Sequence, residues 1–312
     1  MTKFFKLLTS SLLFTSLLFA ARPIDAQQQA ALSKVPITTV VTVLGPNFTP
    51  PPALGKDDVI VHTGTQREDV TAWTSAQGDE AALELAIVID DVTTLGNQLD
   101  DLRKFVQSQP KRTSIGLFYA DNGMVQTVSS FSADHDAVAR KVRITIGEAG
   151  ASTSIYLSLM DLMSKWRPSG ARREILLLAD GIDRFRGDPA SPDVTLAIEK
   201  AQKAGIMIHT LYAKGVGRAS RNLFRASYGQ SNLAQMTNAT GGESFFQGLE
   251  TPISFAPFLA QLDMVLHNQY FLTFTTARSK KAKGELRAFR VNTEQHNVDI
   301  SAAREALVPG TK

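Results

Sequence analysis

Three runs in this sequence are too continuously apolar to have a solvent face: LELAIVID at 83–90, EILLLA at 174–179 and IMIHTLY at 206–212. A strand with one wet face alternates apolar and polar residues. An unbroken apolar run marks a strand covered on both sides, as in a parallel sheet sandwiched between helices. The segments between the runs carry the helical period. Leu99, Leu102, Phe105 and Val106 fall at helical spacing within 98–107, and Ile155, Leu159, Leu162 and Met163 do so within 154–166. Residues 192–205 run from a Pro at a first-turn position to a closing Gly. Asp121-Asn122-Gly123 is a tight-turn signal that sends 124–131 back antiparallel beside 113–120. The order of runs predicts an α/β domain over residues 83–250, a doubly wound, Rossmann-like sheet that is mostly parallel with one antiparallel strand. Within it, 215–230 reads as a long polar loop, 233–239 as a short helix and 243–246 as the last strand.

The flanks have a different character. Residues 27–82 read as short strands and turns, with a Val/Ile/Thr-rich run at 36–44 and a hairpin turning at Thr63-Gly64-Thr65. Residues 251–312 read as a helix at 255–268 followed by a β-hairpin, 269–277 and 286–291, joined by a Lys-rich turn. These outer segments are expected to pair into one accessory β-sheet, making the α/β unit an insertion between them. Residues 1–26, with Lys3 and Lys6 ahead of an apolar stretch at 7–21 and a small-residue site ending at Ala26, have the pattern of a secretory signal peptide. An uncleaved N-terminal anchor is the alternative. Cleavage would remove Lys3, Lys6, Arg22 and Asp25 from the 33 basic and 30 acidic residues, leaving a mature chain of net charge +1. The expectation is an exported protein, periplasmic or extracellular, with no membrane span after cleavage. A near-neutral surface gives no support for a nucleic-acid partner. The chain has no Cys, which excludes disulfides, thiolate metal sites and a cysteine nucleophile.

Ligands of open parallel sheets bind beyond the carboxyl ends of the strands. Two of the three apolar runs meet an acid there, Asp90 and Asp180, and between them 150–154 (GASTS) enters a helix with hydroxyls to offer. Carboxylates and hydroxyls at one edge suit a hard cation such as Mg²⁺, Mn²⁺ or Ca²⁺. At this point a resemblance is carried by residues. IVIDDVTT, STSIYLSL, LLLADGID and ATGGESFF, in that order, resemble the metal loops and final strand entry of a von Willebrand factor type A (vWA) domain. With its flanking β segments, the chain is similar to vWA-related exported proteins of the acidobacterial type. That resemblance implies a vWA fold and a metal-ion-dependent adhesion site, whose pattern is Asp-x-Ser-x-Ser, then Thr, then Asp. The matching positions are Asp90, Val92, Thr94, Thr153 and Asp180. Val92 departs from the pattern, because an isopropyl group offers no oxygen. Two readings follow: a cation held by Asp90, Thr94, Thr153 and Asp180 with a position open to a partner's carboxylate, or a vestigial site whose acids cap neighbouring loops. As an interaction module the chain is expected to present a partner surface that includes Asp91, Thr93, Ser152, Asp183 and Arg184.

Other chemistry is poorly served. The Gly150-x-Ser152-x-Ser154 string lacks the last Gly of a nucleophile elbow, and Gly215-x-Gly217-x-x-Ser220 lacks the third Gly of a dinucleotide loop. His209 falls inside an apolar strand as a core histidine would, and His62, His135, His267 and His296 are scattered without metal spacing. Arg186-Gly187-Asp188 is too short a string to weigh, and the basic turn at 278–283 fits a solvated β edge. The aromatic and Arg-bearing stretch at 215–230 fits either a partner surface or a lid. The expectation is a non-enzymatic, adhesion-type protein-interaction module with a degenerate metal site. The alternatives are an envelope component that assembles without metal and a metal-assisted hydrolase.

Overall fold

Strand β1 (Lys34–Leu44) buries Val35 and Ile37 while exposing Pro36 and Thr38, the period-two pattern of a strand with one wet face. In this computed structural model residues 34–148, 153–186, 192–246 and 248–310 are described. The segment read as a signal peptide lies outside them. After β2 (Val59–Thr63) and β3 (Gln66–Ser75) the α/β unit begins, with β4 (Leu83–Asp90), β5 (Thr113–Asp121), β6 (Met124–Ser132), β7 (Arg172–Ala179) and β8 (Ile206–Tyr212). These five form one sheet of order β6-β5-β4-β7-β8. Every pairing is parallel except β5 with β6. Asn122 and Gly123 both take positive φ (49° and 73°), the backbone of a type I′ hairpin, which is why that one pair runs antiparallel.

The helices are α1 (Gln98–Ser108), α2 (His135–Arg140), α3 (Ile155–Lys165), α4 (Pro192–Ala204), α5 (Gly217–Arg221), α6 (Leu223–Thr240) and α7 (Ala256–His267). They cover both faces of the sheet. Leu85, Ile87 and Ile89 of β4 pack into one core with Leu102 of α1, Val138 of α2 and Leu262 of α7. Ala86 and Val88 face the other core, with Leu159 of α3, Ala197 of α4 and Met236 of α6. Successive side chains of a strand point to opposite faces, so a strand between two helical layers must be apolar at every position. This is the doubly wound, vWA-like α/β arrangement expected from the sequence.

The remaining strands are β9 (Gln269–Ala277), β10 (Glu285–Ala288), β11 (Arg290–Thr293), β12 (Asp299–Ala302) and β13 (Glu305–Val308). A second, antiparallel sheet of order β11-β2-β3-β9-β1-β12 interleaves the N- and C-terminal strands, as expected. β12 pairs with β1 only from Val41 onward, so Pro36 lies where β1 is a sheet edge, a place that tolerates a residue without an N–H. The hairpin expected at 269–291 is absent among the described residues. β9 pairs with β1 and β3, while β10 pairs with β13 and β11 with β2. Two further readings change. Residues 217–221 and 223–240 are helical, so most of the expected loop is helix and the expected short helix at 233–239 is the later part of α6. The strand expected at 243–246 is reduced to a single bridge, Thr210 with Ser244.

A buried polar group ties the two sheets together. His209 Nδ1 accepts the Glu243 N–H (3.0 Å), which leaves Nε2 as the donor to Glu174 Oε2 at 2.8 Å. Gln269 Nε2, at the start of β9, donates to the same Oε2 (3.2 Å), and Arg172 Nη1 lies 3.5 Å from Glu174 Oε1. Burial opposes the charge on Glu174, yet His209, Arg172 and Gln269 together hold its carboxyl below the usual range.

Candidate functional site

β4 and β7 run parallel in direct register, Ile89 beside Leu178, so Asp90, which ends β4, and Asp180, which follows β7, emerge at the same sheet edge. Both are buried: Asp90 is 2% exposed and Asp180 fully enclosed. The loop after β7 turns at Gly181, whose φ of +73° suits a residue without Cβ. Gly181 also packs backbone to backbone with Gly229 of α6, where an added Cβ would stand 2.4 Å from the Asp180 carbonyl oxygen. The turn brings Arg184 back over the edge. Its N–H donates to Thr153 O (2.9 Å), and its guanidinium lies between the two acids.

The guanidinium is engaged on all sides. Nη1 and Nη2 donate to Asp180 Oδ1 and Oδ2 at 3.1 and 2.5 Å, a fork-to-fork pair. Nη1 is also 3.9 Å from Asp90 Oδ2 and donates to Ile182 O (3.2 Å), and Nη2 donates to Ser220 Oγ (2.7 Å). Asp180 receives three more donors: Ile182 N (3.0 Å), Gly215 N (3.1 Å) and Ser220 Oγ (2.9 Å). Asp90 is less well served. Val92 N reaches its Oδ1 only at 3.4 Å. Burial, opposed by Arg184 and reinforced by Asp180, pushes its carboxyl up to about 7.

These residues do not fit a divalent cation. A carboxylate offers about four lone-pair sites, and five donors already converge on Asp180. The position carried over as a hydroxyl ligand is the buried, apolar Val92. Thr94 stands outside the buried group. It is exposed, its N–H donates to Lys214 O (2.7 Å), and with Gln98, Arg221 and Glu250 it borders a surface depression of about 440 Å³. Thr153 is buried beside Arg184. Among the described residues, no three His, Asp or Glu side chains are grouped as metal ligands.

The residues expected to face a partner are placed as follows. Asp91 is 3% exposed and takes a bidentate pair from Arg143 (2.9 and 3.0 Å) plus the Ile146 N–H (3.0 Å). Arg143 in turn lies over the Tyr119 ring, 3.7 Å from its centroid. Thr93 is buried and its hydroxyl donates to Asp90 O (2.8 Å). Asp183 is buried and its Oδ1 accepts the Phe185 and Arg186 N–H groups (3.0 and 3.2 Å). The Arg184 side chain is 6% exposed. Ser152, with Ala151, lies outside the described residues, as do Gly187 and Asp188. Large apolar side chains lie exposed around these buried ones. Ile144 (64%) and Ile146 (67%) flank the loop tied to Asp91, Phe185 (59%) follows Arg184, and Leu223 (66%), Phe224 (64%) and Tyr228 (40%) follow Ser220 on α6.

Sequence reasoning reached Asp90, Asp91 and Asp180 and missed the groups that satisfy two of them, Ser220 and Gly215 on Asp180 and Arg143 on Asp91. One signal was present. Arg184 follows Asp180 by four residues within DGIDR, and Ser220 closes the Gly-rich stretch directly after β8.

No family model matches the chain, and no curated protein matches it. Solved structures do. An aerotolerance-related membrane protein of Bacteroides fragilis is 12% identical, with 59% of this chain and 98% of that one covered and a TM-score of 0.43. The manganese-loaded TRAP protein of Plasmodium vivax is 9% identical, covering 82% and 100%, with a TM-score of 0.40. A von Willebrand factor type A protein of Catenulispora acidiphila is 8% identical, covering 90% and 74%, with a TM-score of 0.38. These superpositions are loose, and the manganese is a property of the Plasmodium protein.

Proposed function

We infer that this protein is an exported, non-enzymatic interaction module of the acidobacterial vWA-related type, which docks a protein partner on the rim of a degenerate metal site. The carrying observation is the contrast at the sheet edge. The charged residues there are consumed by internal pairs, while Ile144, Ile146, Phe185, Leu223, Phe224 and Tyr228 stand in solvent around them. Clustered exposed apolar and aromatic side chains are what partner surfaces present, and Phe224 and Tyr228 already pack edge to face, with centroids 4.7 Å apart. Export rests on the N-terminal pattern of residues 1–26. Among the described residues no helix is long and apolar enough to cross a membrane. A non-enzymatic role agrees with His209, which lies fully buried against Glu174 rather than open to a substrate.

The test is retention of envelope proteins on the immobilised full chain, compared with Ile146→Asp/Phe224→Asp and with Leu196→Asp on α4 as control. The expected result is one species held by the wild type and the control and weakened at least about tenfold by the rim pair, with all three chains equally folded. Equal retention on all three would refute the reading.

A further inference from the structure

We propose that the Arg184 guanidinium is the built-in counter-cation of this sheet edge, filling the space between Asp90 and Asp180, so that the edge works without metal. The proposal does not depend on the interaction reading, since it concerns only what holds the edge together.

The geometry points to an occupant rather than a passing neighbour. A guanidinium is planar, permanently charged and more weakly hydrated than an ammonium, so it is the side chain best suited to a buried, bidentate carboxylate. Arg184 uses that fork on Asp180 and extends the same Nη1 toward Asp90. The cradle is shaped to it. A Cβ at Gly215 would overlap both Arg184 Nη2 and Asp180 Oδ2, so only glycine leaves room there for the ion pair. Ser220 Oγ closes the third side, accepting from the guanidinium and donating to Asp180. The buried isopropyl of Val92 then makes sense, because a site whose cation arrives on its own side chain has no use for a further oxygen ligand. The Arg184 backbone is fixed by its bond to Thr153 O, and the side chain is held by its bonds to Asp180, Ile182 O and Ser220.

The test is calorimetric titration of the full chain with Mn²⁺. The wild type is expected to show no saturable binding up to about millimolar metal, the weak end of natural hard-cation modules. Arg184→Gln removes the charge and leaves Asp90, Asp180 and Ser220 beside a vacated volume. It is expected to gain saturable Mn²⁺ binding at least about tenfold tighter than that ceiling, with a melting temperature that rises with Mn²⁺. The double variant Arg184→Gln/Asp180→Asn is expected to lose the gain. Saturable Mn²⁺ binding by the wild type that Asp180→Asn abolishes would overturn the proposal, and so would an Arg184→Gln chain that folds yet stays silent to Mn²⁺. If Arg184→Gln does not fold in buffer, refolding it with Mn²⁺ replaces the titration: recovery supports the assignment, and no recovery overturns it.

Discussion

Replacing Asp90 by Asn tests whether one guanidinium is enough for two buried acids. A single positive charge balances Asp180, and Asp90 is left in a dry site with a weak backbone donor, its carboxyl raised from an ordinary 3.8 to about 7. The sign follows from proton linkage. Between about pH 4 and pH 7 the folded chain holds a proton that the unfolded chain has released, so stability falls as pH rises through that window and levels off above it. At about 1.4 kcal/mol per tenfold change in proton affinity, the loss amounts to roughly 4 kcal/mol. The amide of the Asp90→Asn variant has no proton to release in this range. That variant should show a flatter profile and be more stable than the wild type at about pH 8 by roughly 2–4 kcal/mol, the lower figure allowing for an amide that fits the site less well than the protonated carboxyl. Urea unfolding of both chains from about pH 4 to pH 8 measures this through the midpoint at constant slope. Parallel pH profiles, or an Asp90→Asn chain less stable than the wild type at about pH 8, would mean that Asp90 is an ionised partner of the guanidinium and that the reasoning fails.

Gly229→Ala should destabilise by about 2 kcal/mol although Ala is the better helix former, because the new Cβ meets the Asp180 carbonyl; an unfolding midpoint at or above the wild-type value would contradict the close approach. Glu174→Ala leaves Arg172 buried without its carboxylate and should cost about 3–5 kcal/mol in urea unfolding. The depressed Glu174 carboxyl also contributes stability present above the ordinary glutamate range and lost as pH falls through its folded value, so this variant's deficit should shrink in acid. Arg143→Ala strands the buried Asp91 and should cost about 3 kcal/mol, with the loss reduced in Arg143→Ala/Asp91→Asn; additive losses would deny the pairing.

The layered α/β unit was legible because burial on two faces writes itself into composition, and the apolar runs at 83–90, 174–179 and 206–212 became β4, β7 and β8 almost residue for residue. Of α6 only the stretch 233–239 was legible, for a packing reason. Much of its buried face is Ala226, Gly229, Thr237, Ala239 and Thr240, small residues that let the helix lie close to the sheet edge and that erase the periodic large apolar signal. The hairpin expected at 269–291 failed because β9 finds its partners in β1 and β3, near the other end of the chain, whereas local turn chemistry reports only on neighbours in sequence. At the site, the acids were visible as strand-end residues. The inward turn of Arg184 was not, since a four-residue spacing on a loop carries no rule for direction, and Ser220 comes from 40 residues beyond Asp180.

The accessory sheet has a consequence for how the molecule is made. β1 is synthesised well before both of its partners: Thr38 and Thr273 of β9, which bond hydroxyl to hydroxyl, are separated by 235 residues, and β12 comes later still. Until then Val35, Ile37, Val41 and Val43 are an apolar strand without a sheet. The α/β unit between them consists mainly of parallel neighbours joined by crossover helices and can close on its own earlier. Assembly should therefore proceed from the middle outward, with β1 waiting as an aggregation-prone edge until β9 and β12 have been made.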